Sequence, residues 1–259
     1  MGIRHRLAAL RTRATEDFRS ASDPGLGRAL AFRARRLTRE HRAAFEKDAP
    51  LVSMCIATYN RATLVKERAI ASALAQTYAN LEIIVVGDHC TDATEEVVGA
   101  IDDPRLTFVN LPSRGQYPEN PRHRWMVAGS AAMNHALRLA KGDFITHLDD
   151  DDEHPAHRVE ALLDAARRTR ADFVFHPFEW ETAPGEWTVN PAGRFAYAQV
   201  TTSSVFYHHS LRSVEWDLRA WRFEEPGDWN RFRRIRFLGP KVARHPEILL
   251  RHYKERSQS

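Results

Sequence analysis

The chain has 259 residues, 43% hydrophobic and 28% charged, with a formal net charge of +4, which fits a folded domain with a sizeable core and excludes a disordered polymer. No apolar run approaches the roughly 20 residues of a membrane span, and the arginine-rich start lacks the apolar stretch of a secretory leader. Only Cys55 and Cys90 are present, so the expectation is a cytoplasmic protein without disulfides.

Charge is unevenly spread. Residues 1–48 carry twelve Lys and Arg against six Asp and Glu, which leaves the rest of the chain slightly acidic. Ile3, Leu7, Leu10, Ala14 and Phe18 recur at helical spacing, as do Leu26, Leu30, Ala34, Leu37 and Phe45 after the break at Asp23-Pro24-Gly25. This predicts a basic two-helix extension, with these stripes packed on a main domain over 49–259. A sharper alternative lays the arginine face on anionic lipid headgroups, as a peripheral contact at the inner face of a membrane. Nucleic acid is not expected, because no interleaved aromatics or motif accompany the arginines.

From residue 51 short apolar runs alternate with helical patterns. Strands are predicted at 51–57, 81–86, 105–110 and 143–148. Helices are predicted at 63–76, 91–101, 125–140, closed by Lys141-Gly142, and 155–168. The order βαβαβαβα implies a doubly wound, mostly parallel α/β sheet. After Asp172 the rhythm loosens: strands at 173–180 and 200–207 and a short helix at 228–235 suggest an α+β region over 153–259, built onto the sheet of 49–152.

In such sheets ligands bind beyond the carboxyl ends of the strands. The first strand is followed by Thr58-Tyr59-Asn60-Arg61, the second by Gly87-Asp88-His89-Cys90, and the fourth by Asp149-Asp150-Asp151-Asp152. Adjacent carboxylates repel unless a cation holds them, and hard oxygen ligands suit Mg2+ or Mn2+. Alternation on an extended segment puts Asp149 and Asp151 on one side. A solvated acidic turn is the competing reading; the missing glycine excludes an EF-hand.

These segments, with Ala75-Gln76-Thr77-Tyr78-Ala79-Asn80 before the second strand and Ala140-Lys141-Gly142-Asp143 before the fourth, resemble glycosyltransferase family 2 of the GT-A fold. The resemblance covers 51–152 well and the rest weakly, and it implies a donor-binding half at 49–152 and an acceptor side at 153–259. It implies transfer of a sugar from a nucleotide-diphosphate donor, UDP-linked by default, to a glycan or lipid-linked acceptor hydroxyl, with inversion. It implies donor contacts from Thr58, Tyr59, Asn60, Arg61, Asp88, Asp149 and Asp150, and an Mn2+ or Mg2+ ion on Asp149 and Asp151 with His252 returning from the C-terminal region. It also implies a general base at Asp228, in Gly227-Asp228-Trp229, with Glu225 and Glu224 in reserve; a helix cap is the alternative role for Asp228. Arg114, Arg122, His123 and Arg124 either grip the diphosphate or solvate their loop. Gly87, His89, Cys90, Met133 and Gly227 depart from the family pattern and put donor identity in question. The loop after the first strand has no glycine, unlike nucleotidylyltransferases, and the Gln-x-x-Arg-Trp motif of processive synthases is missing. The runner-up is a non-catalytic module of the same fold that only binds a nucleotide-sugar.

Overall fold

The computed structural model describes residues 25–254; the predicted stripe from Ile3 to Phe18 lies outside them. Helix α1 is Leu26–Arg35 and α2 is Arg39–Ala43. The apolar runs become strands β1 Val52–Thr58, β2 Leu81–Gly87 and β4 Phe144–Asp149, buried on both faces as parallel central strands are. The helix α3 spans 62–74 with a π-type segment at Val65–Ile70. Helix α4 is Thr94–Gly99, and strand β3 is Leu106–Asn110. Then come α5 Pro121–Val127, α6 Ser130–Leu139, α7 Arg158–Thr169, β5 Phe173–Phe175, β6 Phe178–Ala183, β7 Glu186–Asn190, β8 Val205–His208, α8 Gly227–Leu238, β9 Val242–Arg244 and β10 Arg251–His252.

The main sheet runs β3-β2-β1-β4-β8-β5-β9. Strands β1 to β4 pair in parallel, β8 enters antiparallel between β4 and β5, and β9 runs parallel to β5. A small second sheet, β10-β6-β7, is built beside it. Alternate residues of the central strands feed opposite faces. Cys55, Ile84 and Val86 pack under α1, α6 and α8, whereas Met54, Ile56, Ile83 and Val85 pack under α3 and α7. Each such side chain contributes about 1.5–3 kcal/mol when fully buried.

Four expectations change. The helix expected at 125–140 is two helices, because Ala128 is extended and Gly129 turns left-handed at φ 77°. Asn120 caps the first of them by accepting the His123 N–H, ahead of Pro121. Gly142 is no helix cap: its N–H donates to the Ser53 hydroxyl, and a Cβ there would sit 2.5 Å from that oxygen. The strand expected over 173–180 breaks at His176-Pro177, so β5 joins the main sheet and β6 the small one. The phase of α1 is also turned. Ala29 and Phe32 are buried, with Arg33 on the Leu238 carbonyl and Arg36 on Asp172, while Leu26, Leu30 and Leu37 are 64%, 64% and 76% exposed. The chain then crosses the sheet edge opposite the carboxyl ends of β1, β2 and β4, where His41 meets Asp172 at 2.8 Å and Lys47 meets Asp143 at 2.6 Å. Among the described residues no helix is long and apolar enough to cross a membrane.

Candidate active site

Strands β1, β2 and β4 end at one edge. Thr58, the last residue of β1, donates its hydroxyl to Asp150 at 2.7 Å. Arg61 reaches Asp150 at 2.8 Å and Asp151 at 3.1 Å. Asp150 is buried and serves as the tie between the first loop and the acidic run; burial raises its pKa while Arg61 and Thr58 pull it down. The strand stops at Asp149, and the Asp152 N–H bonds the Asp149 carbonyl at 3.1 Å. Strand alternation therefore ends there. The turn swings Asp152, not Asp151, round toward Asp149 and His252, and the ligating atoms of these three lie within 4.8 Å of one another.

Burial and crowding favour the protonated forms of Asp149 and Asp151. Burial, then Asp152 and Asp151, push Asp149 well above the usual range, and burial with Asp150 and Asp152 raises Asp151 to about 6. His252 responds in the opposite sense. Burial opposes its charge, but the Asp152 carboxylate, 3.0 Å from Nδ1, outweighs this and holds it at about 9. The strand β10 is fastened in place. Arg251 and Glu153 exchange two backbone bonds, the Tyr253 N–H donates to Asp152, its hydroxyl donates to Glu153 at 3.0 Å, and Arg68 lies 3.8 Å over its ring. Ring nitrogen Nδ1 faces Asp152, so Nε2, once it gives up its proton, is the atom left for a ligand. Two carboxylates and an imidazole match the donor set of a divalent cation of the Mn2+ type, whose ligand atoms sit about 3–4.5 Å apart around one centre.

Asp228 stands in the first turn of α8, after Pro226 as the cap residue. It is therefore not the N-cap, although its carboxylate accepts the Trp229 N–H at 2.6 Å. Burial raises its pKa to about 6, the positive His252 draws it back, and its charge is felt at Asp149. Glu225, a reserve candidate, is buried and gripped by Arg233 and Asn230. Glu224 is exposed and paired with Arg122 at 2.7 Å. Gly227 is glycine for lack of room: a Cβ would lie 3.0 Å from the Met126 carbonyl.

On the β2 side, Asp88 is buried and already accepts the Gly115 N–H at 3.0 Å and the Tyr117 hydroxyl at 2.7 Å. Arg114 lies 3.5 Å over the Tyr59 ring. Asn60, left-handed at φ 51°, pairs with Thr91 and so knits two loops together. The departures from the family pattern are packing solutions. A side chain at Gly87 would strike Asn110 and Cys90, His89 adopts φ 62°, and Asn110 receives the Cys90 N–H. Met133 is core, and Asn134 exchanges two bonds with the Trp216 backbone. Of the other loop cations, Arg124 bonds the Pro118 and Glu119 carbonyls and His123 stacks on Trp221. Sequence reading gave Asp152 no role and missed Ser203, whose hydroxyl lies between the Asp149 N–H and Asp152. Only the end of the acidic strand, where a turn must begin, carried a signal for Asp152.

The profile of the family described as "Glycosyl transferase family 2" matches residues 53–190, just over half of the chain. A relative in Escherichia coli K12, WcaA, named as a candidate colanic acid biosynthesis glycosyl transferase, is 32% identical over 186 residues, covering 69% of this chain and 60% of that protein. Among solved structures, S. aureus TarS 1-349 in complex with UDP-GlcNAc superposes with a TM-score of 0.62 at 16% identity, over 80% of this chain and 60% of that one. The mannosyltransferase PcManGT of Pyrobaculum calidifontis, in complex with GDP-Man and Mn2+, gives 0.54 at 18% identity, over 93% and 68%. At these identities the two structures share the fold. The chain spans about 60% of the length of the first of these relatives.

Proposed function

The chain belongs to glycosyltransferase family 2, and from that premise we propose that it transfers a sugar from a nucleotide-diphosphate donor to a hydroxyl of a glycan acceptor, by single addition with inversion. The observation that carries this is the meeting, at one sheet edge, of the Asp149, Asp152 and His252 group with Asp228. A divalent cation, Mn2+ or Mg2+, would be held by that group, with Asp151, now on Arg61, close beside it. Bound there, the ion would supply positive charge to neutralise a leaving diphosphate. The Mn2+ in the complex of PcManGT and the UDP-GlcNAc in that of TarS support a cation and a UDP donor as the first choices. Thr58, Tyr59 and Asp88 form the base and ribose side, once Arg114 and Tyr117 yield to the nucleotide. Asp228 takes the acceptor proton: with a pKa of about 6 it is ionised at neutral pH yet basic enough for the task. WcaA's name supports polysaccharide assembly as the setting. The outer surface of α1 and of the turn into α2, with Leu26, Leu30 and Leu37 among Arg28, Arg35 and Arg39, is the surface offered to anionic lipid for a peripheral contact.

The test is nucleotide release from UDP-, GDP-, dTDP- and CDP-sugars with Mn2+ present. One donor should be turned over, and EDTA should stop it. A chain that binds a nucleotide-sugar but releases no nucleotide from any of the four, with or without glycan acceptors, is a binding module and not a transferase.

A further inference from the structure

The short 3-10 turn Thr202–Ser204, which leads into β8, lies against the acidic cluster. Ser203 is fully buried. Its hydroxyl accepts the Asp149 N–H at 2.9 Å and donates to Asp152 at 2.7 Å. One oxygen thus fixes the backbone of the first acid and the carboxylate of the one that anchors His252. The Ser203 carbonyl is held from behind by two buried groups, His154 Nε2 at 2.9 Å and Arg158 at 2.9 Å.

Arg158 is unusual in its own right. It is fully buried in α7, and its other donors go to neutral acceptors: Thr146 at 2.8 Å, the Val205 carbonyl at 3.2 Å and His176 Nε2 at 3.1 Å. No carboxylate lies within ion-pair distance of it among the described residues. A buried guanidinium without a counterion is costly. Its donors are spent instead on the Ser203 and Val205 carbonyls, Thr146 and His176, so it acts on the cluster only through the turn it holds.

We propose that Ser203 is a positioning residue for the acidic cluster, with Arg158 as the buried post that holds its turn, and that its hydroxyl sets the orientation of Asp149 and Asp152 toward a divalent cation. The proposal rests on the reading that these acids hold such an ion. Groups that orient ligands from behind typically change metal affinity by about 10- to 100-fold when removed.

The experiment measures Mn2+ binding alone, by electron paramagnetic resonance of the free ion, on the intact chain. Ser203→Ala, folded by circular dichroism, should bind Mn2+ about 10- to 100-fold more weakly than wild type. A second pair separates positioning from plain packing. Ser203→Thr and Ser203→Val impose the same volume and differ in the hydroxyl, so the Thr variant should bind at least about 10-fold more tightly than the Val variant. In turnover, the loss should appear as a higher Mn2+ requirement, restored in part by excess ion. Equal affinity in wild type and Ser203→Ala, or in the Thr and Val variants, overturns the proposal alone. A wild-type chain that binds no Mn2+ overturns the cation reading beneath it, and the proposal with it.

Discussion

At the scale of single residues, the site is governed by burial of acids. Asp228 keeps its proton in the folded chain up to about pH 6, whereas an unfolded chain releases it near its ordinary value of about 3.9. Between those values the native state binds more protons, so this group's contribution to stability falls as pH rises. Asp228→Asn should therefore melt at or above wild type at pH 7.5, while kcat falls by about 10²–10⁴-fold, the usual loss for a general base. The acid limb of kcat/KM near pH 6 should vanish with it. A lower melting point with unchanged kcat would make Asp228 a structural acid. Asp88 poses a different problem, because Gly115 and Tyr117 already use its carboxylate. If Asp88 reads the nucleobase, Asp88→Ala should raise the donor KM by roughly 10- to 150-fold, the equivalent of about 1.5–3 kcal/mol for a bond to a charged group. Tyr117→Phe, which frees the carboxylate and gives up only the longer 3.3 Å bond from the Ala131 N–H, should leave KM unchanged or lower it. A matching rise in both variants would mean that Asp88 serves the loop. That the acidic run and Asp228 come to one edge of the sheet was legible in the sequence because type and order carry it, whereas which acid faces Asp149 was not. Ser203 was not: it lies more than fifty residues from Asp149, in a turn with no period or motif of its own.

At the scale of elements, the central strands were legible because near-continuous apolar runs allow little else. The first helix was legible in kind but not in phase. Its leucines form a good stripe, yet Ala29 and Phe32 are the buried residues, flanked by Arg33 and Arg36, which reach the Leu238 carbonyl and Asp172 from the rim of the contact. Periodicity counts apolar positions and cannot see an acceptor supplied from 200 residues away. The break between α5 and α6 was hidden for a similar reason, since an isolated glycine in a helical pattern is usually tolerated. The turned phase is measurable. Phe32→Ala should destabilise the chain by about 3–5 kcal/mol, and Leu30→Ser should cost within about 0.5 kcal/mol, as exposed substitutions do. Denaturant titration that ranks them the other way would restore the leucine stripe to the core.

At the scale of the whole molecule, the N-terminal extension crosses one end of the strands and the candidate active site opens at the other. Helix α8 carries Asp228 in its first turn and takes Arg33 of α1 on the Leu238 carbonyl at its other end, so α1 meets α8 roughly 15 Å along the helix from Asp228. Leu30→Ser with Leu37→Ser should abolish cosedimentation with anionic liposomes if α1 is the contact. Loss in Trp125→Ala instead, a residue 60% exposed on α5 next to Met126, would turn the active-site edge toward the membrane.

The central claim is that one edge of the sheet takes a nucleoside diphosphate and a divalent cation together, with Asp149 at their junction. Calorimetric titration of UDP, and then of GDP, dTDP and CDP, into the intact chain with and without Mn2+ tests it most directly. One nucleotide should bind with Mn2+ and at least about 10-fold more weakly in EDTA, a difference of about 1.4 kcal/mol. Asp149→Asn should bind it as weakly with the ion as wild type does without. Binding that is indifferent to Mn2+, or that survives intact in Asp149→Asn, would contradict the account.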